Sequence, residues 1–309
     1  MNFKKLDIST YIYNIFQILS SQHFKGWGRK KTGRFAQWCY KNFGGTLTLQ
    51  EDGFIRSLGL GVDGSPSFSL VEDDIGIYYD AAMPSRLENI LNSYNLAGDK
   101  QLMEDARRAM EVIVEHNISK YNNAPLEVPK YIADDSCEKI LVIAQTAGDA
   151  SLQYGMLDDF TTDDMLDAAV KENPDAKVYL KIHPDVLSGK KRSDIDIELA
   201  KQTCIIIKEN INPISLLKHF HKVYTKTSGM GFEALLVGCK CVCFGMPFYA
   251  GWGVTDDRSK CERRKRKRSV EEIFAAAYIL YTRYYNPYTK KESDIFDTID
   301  TIVKMRNVI

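Results

Sequence analysis

The residues most able to do chemistry lie along Lys222 to Asp257, KVYTKTSGMGFEALLVGCKCVCFGMPFYAGWGVTDD, and at a few points upstream. Val223 to Thr225 reads as a short strand, punctuated by Ser228-Gly229. Met230 to Val237 reads as a helix closed by Gly238, where a left-handed residue ends a helix. Cys239 to Phe244 is the next strand, and an aromatic, glycine-rich loop follows it. A turn that brings a helix N-terminus to the end of a parallel strand suits an anion, because N–H groups and the helix dipole face the ligand. Thr227, Ser228 and Gly229 would hold a phosphate, and Glu233 in the following helix would accept from sugar hydroxyls. Phosphate followed by ribose is the order a nucleotide presents. The plainer reading of Glu233 is a solvent-facing helix residue.

These side chains need a sheet to position them. Lys139 to Ala144 (KILVIA) is a continuous apolar run of the kind buried on both faces. Lys177 to Ile182 and Cys204 to Ile207 read as further strands, with Asp163 to Glu172 and Pro213 to His221 helical. Such alternation predicts a parallel sheet with right-handed crossovers. Gln145-Thr-Ala-Gly-Asp149 follows the first strand, Lys181 and His183-Pro-Asp185 close the second, and Glu209 and Asn210 follow the third. Thr227 to Gly229 follows the fourth, and Gly245 to Gly253 the fifth. All fall at the C-terminal ends of strands, where open α/β sheets bind ligands.

The N-terminal part is less regular. Thr46 to Leu49, Ser67 to Val71 and Gly76 to Tyr79 read as strands, and Pro84 to Leu91 and Lys100 to His116 as helices. Gly26-Trp-Gly28 and Glu51 to Arg56 read as polar and aromatic loops, and Tyr121 to Asp135, with two prolines, as a linker. Val270 to Tyr285 and Asp294 to Val303 read as amphipathic helices. The expected domains are 1–133, 134–268 and a helical extension, 269–309, packed on the first.

With 309 residues, 44% hydrophobic and 27% charged, the chain has the composition of a soluble globular protein. It shows neither a long apolar span nor a signal-peptide layout, so a cytoplasmic location is expected. Cys239, Cys241 and Cys243 alternate along a strand and read as small buried hydrophobes rather than metal ligands. Net charge is zero, yet Arg258 to Arg268 (RSKCERRKRKR) is strongly basic. It is either a solvated loop or a contact for anionic lipid headgroups. Nucleic acid is not expected, since the cluster lacks interleaved aromatics. The DxD at Asp194-Ile-Asp196 lies in a charged, helical stretch away from the strand ends, and the pairs Asp163-Asp164 and Asp256-Asp257 are equally weak signals, so no metal and no cofactor is expected.

Eight segments carry a resemblance. GWGRKKTGR (from Gly26), EDGFIRSLGLG (from Glu51), GIYYDAAMPSRLENIL (from Gly76) and ISKYN (from Ile118) occur in order. QTAGDAS (from Gln145), KIHPDVLSGKKR (from Lys181), TSGMGFEALLVG (from Thr227) and FGMPFYAGWGVT (from Phe244) follow. Together they closely resemble one catalytic module of the KpsC-type β-Kdo transferases of bacterial capsule assembly. The resemblance implies an α/β fold of GT-B-like architecture, with two Rossmann-type domains facing a cleft and C-terminal helices. It implies a retaining glycosyltransferase that uses CMP-Kdo to extend a β-Kdo linker on a (lyso)phosphatidylglycerol terminus. The location would then be the inner face of the cytoplasmic membrane, with the Kdo-terminated glycolipid, the anionic membrane surface and other capsule-assembly proteins as partners. Family enzymes commonly carry two modules; this sequence shows one, which leaves the linkage open.

By the same resemblance Asp149 is the nucleophile of a double displacement, a role a carboxylate can fill because it forms and releases an ester. The competing reading is an Asp capping the helix that begins at Ala150. His183 would assist the departing CMP phosphate; Gln145 and Lys181 would line the same edge. In the N-terminal domain Glu51 or Asp52 would serve as base for the acceptor hydroxyl, and Arg56 would pair with a Kdo carboxylate. An ordinary polar turn explains those three as simply. Two further functions compete: a CDP-glycerol-type phosphotransferase, which needs no Asp149 nucleophile, and a non-catalytic capsule-assembly or lipid-binding protein.

Overall fold

The computed structural model describes residues 8–20, 22–134, 136–182, 186 and 195–306. In chain order the strands are β1 His23–Trp27, β2 Thr46–Asp52, β3 Ser69–Asp73, β4 Lys139–Ile143, β5 Lys177–Lys181, β6 Ile205–Ile207, β7 Lys222–Thr225, β8 Lys240–Cys243, β9 Asp256–Asp257, β10 Thr282–Asn286 and β11 Lys291–Ser293. Contacts divide the chain into two units, residues 1–123 with 271–309, and residues 124–270.

The second unit carries the regular architecture. Its sheet runs β6-β5-β4-β7-β8-β9, with every pair parallel. Side chains alternate across a strand, so the apolar run of β4 feeds two cores at once. Ile140 and Val142 pack with Leu180, Tyr224 and the Met165, Leu166 and Ala169 face of the helix Thr162–Glu172. Leu141 and Ile143 pack on the other side with Tyr179, Val223, Leu216, Leu217 and Ala234. Gly238 stands at φ 88° just past the helix Met230–Leu236, the left-handed position expected of it. Cys239, Cys241 and Cys243 are all buried, and burial raises the Cys239 thiol to about 11, which keeps it an inert packing group.

The first unit is also α/β, but its sheet is mixed. In the order β1-β2-β3-β10-β11 only β1 and β2 run parallel, so this sheet is not of the doubly wound Rossmann kind. Several local expectations differ from what forms, and Glu51 and Asp52, read as the start of a loop, extend β2. Gly26 and Trp27 belong to β1, and a Cβ on Gly26 would collide with Thr32 and Gly33 of the helix Lys31–Phe43. Gly76–Tyr79 is a turn, because Asp73 Oδ1 accepts from the N–H groups of Ile75 and Gly76, both at 2.9 Å, and folds the chain back. The expected helix over Val270–Tyr285 stops early. Val270–Phe274 is α-helical, Ala275–Leu280 widens into a π-turn closed by Tyr281 N donating to Ala276 O at 2.9 Å, and β10 then inserts beside β3.

Candidate active site

In the second unit the chain leaves β4 outward to β5 and β6, then returns to β7 on the other side of β4. The β4–β7 pair is therefore the topological switch point, where crossovers diverge and open a crevice at the strand ends. Four side chains meet there. Gln145 leaves β4 and accepts from Thr227 N at 2.8 Å, while its Nε2 donates to Thr227 Oγ1 at 3.1 Å. The same Nε2 lies 3.3 Å from Ser151 Oγ and 3.4 Å from Asp149 Oδ2. Ser151 donates to Asp149 Oδ1 twice, from its N–H at 2.9 Å and its hydroxyl at 3.0 Å, and that hydroxyl also lies 3.0 Å from Thr227 Oγ1.

Asp149 thus caps the helix Ala150–Gly155 and stands in the site at once. Oδ1 carries the cap, and among the described residues Oδ2 has only the long contact from Gln145. Gly148, at φ 85° with open space where a Cβ would be, makes the turn that presents the carboxylate. A depression of about 570 Å³ opens beside it, lined by Gly148, Asp149, Leu152, Gln153, Met156 and Phe160 among others. That volume is in the range of small-molecule sites.

The turn after β7 is partly satisfied from within. Ser228 N donates to Thr225 Oγ1 and Met230 N to Ser228 Oγ, both at 3.3 Å, and Tyr249 OH donates to Ser228 O at 2.6 Å. Gly229 is exposed at the turn, with open space where a Cβ would be, while Glu233 is buried and so does not face solvent. At the neighbouring strand ends Lys181 Nζ donates to Glu209 O at 3.3 Å, and Glu209 accepts from Tyr131 OH at 2.8 Å. Burial lowers the Lys181 pKa, opposed by the Glu209 charge. His183 and Asp194 lie outside the described residues. Asp196 caps the helix Ile197–Thr203.

The remaining expected residues sit in the first unit. Glu51 closes β2 with Oε1 accepting from Trp27 Nε1 at 2.8 Å, and burial raises its pKa against the pull of Lys120. Lys120 loses hydration too, yet Tyr78, Tyr121, Asp52 and Glu51 around it hold its pKa above the ordinary lysine value. Tyr78 is raised to about 12 by burial. Asp52 pairs with Arg56 at 3.2 Å, and the buried Arg56 also donates to Ser57 Oγ at 2.7 Å and Ser65 O at 2.9 Å. Its guanidinium ties down the loop 57–65.

A family model of capsule polysaccharide biosynthesis proteins matches residues 26–284. The chain belongs to that family. Among its relatives the Neisseria meningitidis serogroup A capsule polysaccharide modification protein LipA is 43% identical over 91% of this chain, which spans 41% of LipA. The Rhizobium meliloti lipopolysaccharide-processing protein LpsZ is 39% identical over 89% of the chain and 62% of its own length. The chain therefore spans less than two thirds of each of these relatives and under half of LipA. Two solved structures of Thermosulfurimonas dismutans KpsC are similar throughout. The one described as a beta Kdo 2,4 transferase is 45% identical, with TM-score 0.82 over 91% of this chain and 86% of that one. The one described as a beta Kdo 2,7 transferase is 30% identical, with TM-score 0.75 over 97% and 91%. The fold is of the α/β, GT-B-like class of these KpsC structures.

For this capsule-family chain, strand-end position in the sequence located Gln145, Asp149 and Thr227 but not Ser151, the residue that links them. Ser151 was legible only as part of QTAGDAS. Lys120 and Tyr78 were likewise legible only inside ISKYN and GIYYDAAMPSRLENIL, since each becomes a partner of Glu51 only through folding.

Proposed function

We propose that the chain is a retaining glycosyltransferase of capsule polysaccharide assembly that moves Kdo from CMP-Kdo to a Kdo-terminated glycolipid. The observation that supports this most is the Gln145–Asp149–Ser151–Thr227 group at the switch point of the parallel sheet. Its likeness to two KpsC structures, both described as β-Kdo transferases, supports the choice of sugar.

In this reading Asp149 Oδ2 attacks the anomeric carbon of Kdo as the bond to the CMP phosphate breaks. Ser151 and the helix N-terminus keep Oδ1 fixed, so the attacking oxygen is already oriented and little reorganisation remains. Thr227, Ser228 and Gly229 receive the phosphate, and Glu233 the ribose. His183 assists the leaving phosphate, and Lys181 lines the same edge. The acceptor hydroxyl then displaces Asp149 and gives its proton to a base. Two inversions restore the donor's β configuration. For the base, the N-terminal unit supplies Glu51, whose pKa burial raises toward the range a general base needs, while Asp52 is held by Arg56. The higher identity to the 2,4 transferase, 45% against 30%, favours a 2→4 linkage. A (lyso)phosphatidylglycerol terminus for the acceptor chain belongs to the same proposal.

Without acceptor, CMP-Kdo should leave one Kdo residue on the peptide containing Asp149. Asp149→Asn keeps an N-cap residue and should abolish transfer while CMP affinity stays close to wild type. NMR of the product should show a β-2→4 linkage. An adduct on another carboxylate, or an α product, would overturn the mechanism; a β-2→7 product would overturn the linkage alone.

A further inference from the structure

The helix Ile8–Leu19 (ISTYIYNIFQIL) is turned inside out. Its buried positions are polar: Thr10 and Asn14 are 2% and 0% exposed, and the Gln17 Oε1 is enclosed. Its outward face is apolar, with Ile8 76%, Ile12 51%, Ile15 51% and Phe16 63% exposed, at the spacing of one helical stripe. Asn14 explains the inner face. It donates to Lys25 O at 2.8 Å and accepts from Lys25 N at 2.9 Å, which satisfies the backbone of the edge strand β1. Among the described residues of unit one nothing covers the outer face, and water gains nothing from four large hydrophobes in a row.

The neighbouring helix Lys31–Phe43 shows what that face meets. Lys31, Arg34, Trp38 and Lys41 recur along its exposed side at three- and four-residue spacing. Trp38 stacks on Phe35 at 6.1 Å and meets Phe43 edge-on at 5.8 Å, and Phe35 reaches Tyr11 of the first helix at 5.3 Å. The two faces are thus joined by a chain of aromatic rings. Residues 8–50 contain six Lys or Arg and no Asp or Glu, in a chain whose totals are 41 and 41.

From this we infer that the outer face of the helices Ile8–Leu19 and Lys31–Phe43 is a docking surface for an anionic lipid bilayer. An uncharged apolar stripe enters the headgroup–acyl boundary, Trp38 sits at the interface, and Lys31, Arg34 and Lys41 meet the headgroups. A protein groove would offer apolar complementarity, but it has no general need for a basic rim free of acidic residues. The inference does not depend on the proposed transfer reaction.

The tryptophans make the test direct. Trp27 and Trp252 are 4% and 1% exposed and Trp38 is 52% exposed, so an added apolar medium reports through Trp38. Vesicles of phosphatidylglycerol and phosphatidylethanolamine should bind the full chain and shift its emission to the blue, and doxyl-labelled lipid should quench it. Phosphatidylcholine vesicles should do so far less. Trp38→Phe should erase the shift. Ile12→Ser with Phe16→Ser should weaken binding by roughly tenfold or more, and Lys31→Gln, Arg34→Gln, Lys41→Gln should reduce its salt dependence. All six sites are exposed, and circular dichroism checks that the variants fold. Two results would overturn the assignment: vesicle binding undiminished in the Ile12→Ser, Phe16→Ser variant, or a face already covered by self-association without lipid.

Discussion

Asp149 divides its two oxygens between structure and chemistry: Oδ1 caps a helix through Ser151, and Oδ2 is left with a 3.4 Å contact. Capping and catalysis, which compete as readings of the sequence, are compatible here because a carboxylate has two ends. Glu51 raises the same question in the first unit. Burial raises its pKa, with Lys120 and Lys30 opposing and Asp52 adding to the rise. The folded state therefore binds the Glu51 proton more tightly than the unfolded state does. That destabilising contribution is absent below the unfolded pKa and grows as pH rises through the folded one. Glu51→Gln keeps an acceptor for Trp27 Nε1 and removes the ionisation. Its melting temperature should exceed wild type by a margin that widens as pH rises above the ordinary glutamate pKa. A variant less stable than wild type at neutral pH would mean that Lys120 outweighs burial.

Among the elements, the loop from Gly245 to Arg268 shows how a charge run can serve two purposes. Arg258 pairs with Glu172 at 2.7 Å, and Arg264 donates to the backbone oxygens of Pro247 and Ala250, each at 2.5 Å, with Trp252 beside it. Arg268 is buried, whereas Lys260, Lys265, Arg266 and Lys267 are exposed. The inward arginines hold the loop that supplies Tyr249 to the turn at Ser228; the outward Lys260, Arg266 and Lys267 remain available to an anionic surface. Arg264→Gln should cost about 2 kcal/mol, since it strands two carbonyls that a cation now satisfies. Lys260→Gln with Lys267→Gln should stay within about 0.5 kcal/mol of wild type. Denaturation followed by the emission of Trp252 separates the two; equal losses would refute the division of the run.

At the scale of the molecule, the last residues complete the first unit. β10 lies between β3 and β11, and Tyr281 donates to Asp73 Oδ2 at 2.7 Å. Asp73 also accepts from the N–H groups of Ile75, Gly76 and Arg86, each at 2.9 Å, so one buried carboxylate joins β3, a turn, a helix start and the C-terminal segment. Arg306 returns to the carbonyls of His116, Asn117 and Asn122 at 2.7 to 2.9 Å. A chain ending at Val270 would leave β3 without a neighbour on that side. Its residues 1–123 should lose cooperative unfolding, visible as lost near-ultraviolet dichroism and rapid proteolysis. A protease-resistant truncated form would show that this unit does not need β10.

The parallel sheet of the second unit was legible in the sequence because a strand buried on both faces must be apolar throughout, as β4 is. Gln145, Asp149 and Thr227 were legible for a related reason: polar residues just past such strands sit at one edge whatever the strand order. What the sequence left open depends on partners distant along the chain. Strand order placed the switch point between β4 and β7, and only that neighbourhood made Ser151 the link between Asp149 and Thr227. The pairing of β10 with β3 cut short a helix that local periodicity favoured. The direction of each side chain in the basic run, and the reversed faces of the helix Ile8–Leu19, followed from what packs beside them. Periodicity is a local property of the chain, whereas exposure and pairing belong to the folded whole.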